Sequence, residues 1–396
     1  MRLLYLSNAR LPTEKAHGGQ IMQMCEAFAD AGADVTLWHP RRVNTPDLAG
    51  RDPFEFYGVA HNFALRALPC IDLFPLAARL GNPGLLLRVA FFAQSLTYLL
   101  ALLLSLRGAR ADVFYTREAL TALALTLAGR GRRTFYEAHR FPGAATGRRV
   151  QRWTLRRTAG VITLTQRLAG DYAALGVPAG RIHVAPDAVR WARFADLPDK
   201  AEARRALGLP ERAFIAGYVG RFHTMDMPKG LDTLAEAAAL TDDVHVCLVG
   251  GPAETVDAVR ARGVLRDARL IYLGVVPPGE VPRCLAALDV CVMPSPEMPF
   301  FAYYASPLKL FEYMASGRPI VASDLPSTRE IVTHGEHALL VPPGDPEALA
   351  AALCRLRDDP ALGARLGAQA RTLAQARYTW GARAAGILAF AQRCTA

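Results

Sequence analysis

The sequence has no Cys-x-x-Cys pair and no cluster of cysteine with histidine, so a zinc site is not expected. It also lacks an Asp-x-Asp element and any histidine/carboxylate metal pattern. Neither a metal nor another cofactor is therefore expected. Seven cysteines are scattered through mostly apolar surroundings (Cys25, Cys70, Cys247, Cys284, Cys291, Cys354 and Cys394), as suits reduced core thiols. Neither Gly-x-Gly-x-x-Gly nor the Walker pattern is present, which counts against dinucleotide and ATP binding. No helix-turn-helix, zinc-finger or RNP-like pattern occurs, so nucleic acid is not expected as a partner. Internal repeats and low-complexity segments are absent too. The amino terminus, Met1 to Ser7, has too short an apolar run for a signal peptide and reads as a buried first strand. A cytoplasmic location follows as the expectation.

What is there describes a globular chain. With 52% hydrophobic and 21% charged residues over 396 positions, two domains are expected, because one core rarely grows that large. The net charge of +10 is unevenly placed. Residues 1–190 carry 24 Lys and Arg against 13 Asp and Glu, while residues 191–396 carry 22 against 23. Arg130 to Arg157 alone holds nine arginines and one acid, Glu137. A solvated helix face would mix the signs. This density points to an anionic membrane surface or a phosphate-bearing acceptor, with the chain peripheral at the inner membrane face. Leu85 to Leu106 is the longest apolar stretch. A helix covering the sheet, a membrane span and a helix lying on a bilayer between flanking arginines (Arg79, Arg88, Arg107, Arg110) are its three readings. Arg88 and the polar cluster Gln94, Ser95, Thr97 and Tyr98 count against the span.

The most informative stretch runs from Ser306 to Pro319. Pro307 suits the first turn of a helix, Leu310, Phe311 and Met314 recur at helical spacing, and Gly317 with Pro319 ends it. The free N–H groups from Ser306 to Lys309 then point out of the helix start with the positive end of the dipole behind them. Lys309 adds a cation where one is disfavoured unless an anion is bound, and Glu312 sits one turn in. An anion with a polyol attached would satisfy both.

Pro-Leu-Lys-Leu-Phe-Glu-Tyr-Met-Ala-Ser-Gly-Arg-Pro-Ile-Val-Ala-Ser-Asp (307–324) resembles the nucleotide-sugar signature of the retaining glycosyltransferases of family 4. The resemblance implies an α/β GT-B fold, two Rossmann-like domains facing a cleft with a C-terminal helix crossing back. Residues 1–190 would form the acceptor-side domain, with about 378–396 as the crossing helix. Residues 191–210, rich in Ala, Pro and charge, would be a linker, and 211–377 the nucleotide-sugar domain. Glu312 would take the ribose, and the amides around Ser306, Leu308 and Lys309 the phosphates.

Earlier in the chain, Pro12 to Gln20 reads as a glycine loop between a first strand and a helix from Ile21 to Asp30, at the sheet edge where doubly wound folds place ligands. The resemblance lets Gly18 and Gly19 bring the backbone close to donor phosphate and acceptor. His139 follows the strand Arg133 to Glu137, and the family's histidine there contacts the donor sugar. In the second half, Arg221 ends a strand and Lys229 begins a helix, a pair that suits a diphosphate whose charge grows as it departs. Gly220-Arg221 and Lys229-Gly230-Leu231-Asp232-Thr233-Leu234 also resemble the family's pyrophosphate clamp. His223 to Pro228 reads as a mobile loop between them. Backbone at Val275 and Val276 would read the base. The chain departs from type at Tyr304, where many members carry a second glutamate; Glu297 reaching in from a longer loop, or backbone amides holding the sugar, are the candidates to replace it.

The expected function is metal-independent transfer of a sugar from a nucleoside-diphosphate-sugar to a carbohydrate, lipid-linked or small-molecule acceptor, with retention. A nucleotide-sugar epimerase of the same architecture and a non-catalytic sugar-nucleotide or membrane-surface binding protein are the alternatives.

Overall fold

The structure, a computed structural model, describes residues 1–80 and 83–395. It divides into two compact units: Met1–Ala185 together with Trp380–Ala396, and Pro186–Thr379.

The first unit is built on seven parallel strands, β1 (Arg2–Leu6), β2 (Asp34–Pro40), β3 (Ala64–Leu68), β4 (Val113–Thr116), β5 (Thr134–Ala138), β6 (Gly160–Thr163) and β7 (Ile182–Val184). Their spatial order is β3-β2-β1-β4-β5-β6-β7. Leu3, Leu4, Tyr5 and Leu6 are all buried, as a central parallel strand covered on both faces requires. Register runs Leu3 opposite Val35 on one side and Val113 on the other. The order reverses between β1 and β4, so the loops after these two strands diverge and leave a crevice at the carboxyl edge.

The second unit repeats the scheme with β8 (Phe214–Val219), β11 (Val244–Val249), β12 (Leu270–Tyr272), β13 (Val290–Met293), β14 (Ile320–Ser323) and β15 (Leu339–Val341), in the order β12-β11-β8-β13-β14-β15. Its reversal lies between β8 and β13. Two short strands, β9 (His223–Thr224) and β10 (Met227–Pro228), pair antiparallel between them. The stretch expected as a mobile loop is thus a hairpin, and Met225 and Asp226 turn it at φ 48° and 61°.

Two expected boundaries move. Residues 191–210 are not a free linker: Lys200–Leu207 is a helix capped by the Asp199 side chain, and Phe194 and Ala203 are buried in the core of the second unit. The composition misled because an amphipathic helix packed by one face is also rich in Ala and charge. The first unit stops at Ala185, and the helix Trp380–Thr395 completes it. There Phe390 meets the edge of Phe135 at 5.8 Å and stacks on His183 at 5.2 Å.

Leu85 to Ser105 falls in one long helix, Pro83–Ser105, and Leu106 directly follows it. Tyr98, Leu102 and Leu106 pack on Leu4, Leu6, Trp38 and Phe114, so the helix does cover the sheet.

Candidate functional site

In the second unit, five chain segments meet at the carboxyl edge of the sheet. The helix Leu308–Ser316 starts there, with Pro307 in extended conformation (ψ 113°) as its cap and Gly317 in the left-handed region at its end. Pro307 therefore precedes the first turn rather than opening it. The Leu308 and Lys309 amides find no acceptor among the described residues. Tyr313 fixes the helix to the sheet: its hydroxyl accepts from the Val219 amide at 2.8 Å and donates to the Val219 carbonyl at 3.0 Å.

Two glycines bring the cations in. Gly230, at φ +77°, lies so close to β13 that a Cβ there would sit 1.8 Å from the Pro294 carbonyl oxygen. This contact draws Lys229 onto the helix start. Gly220, at φ +137°, leaves room for the Lys309 side chain, whose Cε would lie 3.2 Å from a Cβ. Arg221 follows directly, exposed and with no ion pair among the described residues.

Lys229 and Lys309 line one crevice together with Ser295, Phe301, Ala305 and Pro307. The chain has only four lysines (Lys15, Lys200, Lys229, Lys309) among its 46 basic residues, and two of them are here. A compact ammonium reaches into a space a guanidinium would fill. Lys229 is 9% exposed, and burial lowers its pKa to about 8. Its Nζ lies 4.2 Å from the centre of the Phe301 ring and pairs with no carboxylate among the described residues. Lys309 Nζ sits 3.8 Å from the centre of the Tyr218 ring and contacts its hydroxyl. Burial lowers Lys309 to about 7, with Glu312 opposing the shift. Burial raises Glu312 to about 7 against the pull of Arg193 and then Lys309.

Arg193 was not a candidate. It lies in the supposed linker, on the turn Trp191–Arg193. Nothing local to Arg193 in the sequence marked it out.

The remaining candidates of this unit do not line the crevice. The Ser306 hydroxyl accepts from the Asp187 amide at 2.8 Å, so it holds a neighbouring loop. Tyr304 closes a wide turn, Phe300–Tyr304, in which the Ala305 amide donates to the Phe300 carbonyl at 2.9 Å. Glu297 is exposed and does not line the crevice. Val275 is 79% exposed beside the turn where the Gly250 amide donates to Gly274, and Val276 is half-buried against the core.

The first unit gathers a second set of groups at its own carboxyl edge. Glu137 is fully buried, and its carboxylate accepts from Tyr115, from Gln20 at 3.3 Å and from His139 Nε2 at 2.6 Å. Arg383, from the last helix, pairs with it at 3.3 Å. Burial alone would raise Glu137; Arg383, His139 and Arg117 overcome it and hold the pKa well below the ordinary range. His139 Nδ1 faces Arg117 at 3.2 Å. Since Arg117 only donates, Nδ1 accepts and Nε2 carries the proton. Burial and Arg117 lower His139 to about 4, so the ring is neutral at pH 7 with both nitrogens engaged.

The helix after β1 begins at Ala16, so Gly18 and Gly19 stand in its first turn, not in a loop. A Cβ at Gly18 would lie 2.1 Å from the Tyr57 hydroxyl, which itself bridges the Thr13 amide and carbonyl. Internal packing therefore requires this glycine. A concavity of about 770 Å³ lies elsewhere in the unit, at the amino edge of the sheet among Arg132, Arg156, Arg157 and Arg181. It takes up part of the arginine-rich stretch and is remote from His139.

Residues 17–188 match the family model of a glycosyl transferase 4-like domain, and residues 213–359 that of glycosyl transferases group 1. The 2-deoxystreptamine glucosyltransferase of Streptomyces kanamyceticus is 34% identical over 218 residues, covering 54% of this chain and 54% of that one. The D-inositol 3-phosphate glycosyltransferase of Acidothermus cellulolyticus is 33% identical over 242 residues, covering 56% and 51%. The chain thus spans about half the length of these curated relatives. Among solved structures, Anabaena HepE in complex with UDP superposes with a TM-score of 0.71 at 19% identity, covering 99% of this chain and 98% of that one. Sucrose-phosphate synthase from Thermosynechococcus elongatus gives 0.72 at 22%, covering 99% of each.

Proposed function

The chain belongs to the group 1 glycosyltransferases and has their GT-B fold, and we propose that it moves a sugar from a nucleoside-diphosphate-sugar to an acceptor hydroxyl with retention of configuration. One observation carries this reading. Two of the four lysines are held in one crevice at a helix start, each with its pKa lowered by burial. A buried ammonium without an anion is unfavourable, so the arrangement is explained by an anion that arrives with the ligand.

A diphosphate supplies that anion. Its oxygens would take the Leu308 and Lys309 amides, the two ammonium groups and Arg221. As the bond from the anomeric carbon to the diphosphate breaks, negative charge grows on the leaving oxygen, and these donors gain most at that point. Glu312, one turn further on, would accept from the ribose hydroxyls; its nearness to Arg193 and Lys309 favours the ionised form once both cations are engaged. No group of three or more His, Cys, Asp or Glu side chains gathers to hold a metal among the described residues. We assign charge neutralisation to the side-chain cations and transfer to a metal-independent route. Retention rests on the resemblance of residues 307–324 to the retaining family. Val275 and Val276 are proposed at the base, and His139 with the Gly18-Gly19 turn on the acceptor side, where the neutral ring lies beside the Arg117 guanidinium cation. Solved structures of Anabaena HepE hold UDP and UDP-glucose, which makes UDP-sugars the first donors to try.

The test is titration calorimetry with UDP, followed by transfer from UDP-sugars to an acceptor panel with the product anomer read by NMR. Binding abolished by Glu312→Ala and transfer with the same anomer as the donor are expected. Tight binding with no transfer to any acceptor would favour a binding protein, a reading that Tyr304 in place of glutamate motivates. An epimeric sugar formed without acceptor would favour the epimerase.

A further inference from the structure

The helix Pro83–Ser105 is built inside out. Its polar residues face the protein: the Gln94 amide donates to the Asn8 side chain at 2.7 Å, the Asn8 amide to Ser95 Oγ at 3.2 Å, and Tyr98 to the Trp38 carbonyl at 3.4 Å. Ala90, Gln94, Tyr98, Leu102 and Leu106, four apart, make the buried row. The polar cluster that counted against a membrane in the sequence is thereby turned inward. Leu85, Val89, Phe92, Leu96, Leu100 and Leu104 form the opposite row, and all are exposed, Leu85 and Phe92 by 72% and 68%.

A water-facing helix normally shows the reverse pattern. Only 28% of its most apolar window is buried. The row from Leu85 to Leu104 is about 29 Å long at 1.5 Å per residue. Exposed Leu76, on the short helix Phe74–Arg79, and Leu80, which caps it, add to the apolar surface. Such a continuous patch marks a place where something apolar docks.

We propose that this face lies in the interface of an anionic lipid bilayer, with the helix parallel to the membrane plane. Charge selects the occupant. From Leu73 to Ala111 the chain has four arginines (Arg79, Arg88, Arg107, Arg110) and no acid. Arg88, Arg107 and Arg110 are exposed and form no ion pair among the described residues. A second copy would bring the same cations against them, whereas phosphate headgroups at both ends of an apolar row complement them. The helix does not span the bilayer in this arrangement, because its inner row carries the sheet contacts of the unit. Through Asn8, which follows β1, the docked helix would hold the carboxyl edge of the first sheet next to the lipid surface.

Full-chain protein is sedimented with vesicles of phosphatidylcholine alone and with about one-third phosphatidylglycerol. Binding to the anionic vesicles, weakened by salt, is expected. The double variant F92E/L96E should lower partitioning about a hundredfold or more. R88A/R107A/R110A should weaken binding and flatten its salt dependence. Both variants change exposed side chains, so an unchanged melting temperature verifies folding. No binding to either vesicle, or full binding by F92E/L96E, overturns the proposal. A dimer in ultracentrifugation that F92E/L96E dissociates would also overturn it and assign the face to a second copy. UDP titration of the same variants keeps this outcome separate from the glycosyltransferase reading, since none of these residues belongs to the nucleotide crevice.

Discussion

Replacing Lys229 with methionine should stabilise the free protein and impair it as a nucleotide binder. The Lys229 pKa falls from its ordinary value of 10.5 to about 8 because burial disfavours the ammonium. At 1.36 kcal/mol per unit, holding the proton costs the folded state about 3 kcal/mol at pH 7. The sign follows from which state binds the proton more tightly. The unfolded chain keeps it to higher pH, so the penalty is complete below about 8 and fades as the pH climbs to 10.5. Methionine keeps the apolar stem and removes the charge. It loses the interaction with the Phe301 ring, about 1 kcal/mol. A net gain of about 2 kcal/mol remains, or roughly 4–8 °C in melting temperature for a unit of this size. Binding should move the other way: a charge-assisted hydrogen bond to phosphate is worth about 1.5–3 kcal/mol, so UDP affinity should fall roughly 10- to 150-fold. Scanning fluorimetry at pH 7 with and without UDP, plus calorimetry, reads both. A lower melting temperature with unchanged UDP affinity would refute the reasoning, because Lys229 would then be a structural cation.

The same arithmetic applies to the neighbours. Glu312, raised from 4.5 to about 7, favours folding below 4.5 and loses that contribution as pH rises through 7. Lys309, lowered from 10.5 to about 7, regains stability only above 7. Denaturant midpoints of the free protein should thus pass through a minimum near pH 7, which Glu312→Gln removes on the acid side and saturating UDP shallows. Gly230→Ala should destabilise by more than about 3 kcal/mol, since both the positive φ and the Pro294 carbonyl oppose a Cβ; soluble yield and melting temperature test it. In the first unit, Glu137→Ala should cost about 3–5 kcal/mol in urea unfolding by removing one partner of the buried Glu137–Arg383 pair.

Local signals carried much of this far. The helix at Leu308–Ser316 was legible because a proline, an apolar period and a glycine in series each act within one turn. Arg221 and Lys229 were legible from strand and helix ends. The companions of His139 were not: Gln20, Arg117 and Arg383 lie 119, 22 and 244 positions away, and only the sheet order brings them to one carboxylate. Gly18 was legible as a special position, but sequence could not tell that Tyr57 fills the space. For Pro83–Ser105, composition revealed the apolar helix yet not its facing. Which row turns inward is decided by partners such as Asn8 and Trp38, remote in the chain.

The position of Arg383 imposes an order on synthesis. Glu137 emerges from the ribosome early, but its counter-cation lies beyond the whole of Pro186–Thr379. Until that later segment is made, the Glu137 carboxylate is held only by Tyr115, Gln20, His139 and the charge of Arg117, without its direct ion pair, while the contiguous lobe can settle at once. Maturation would then run backwards along the gene, the half begun first being the half finished last.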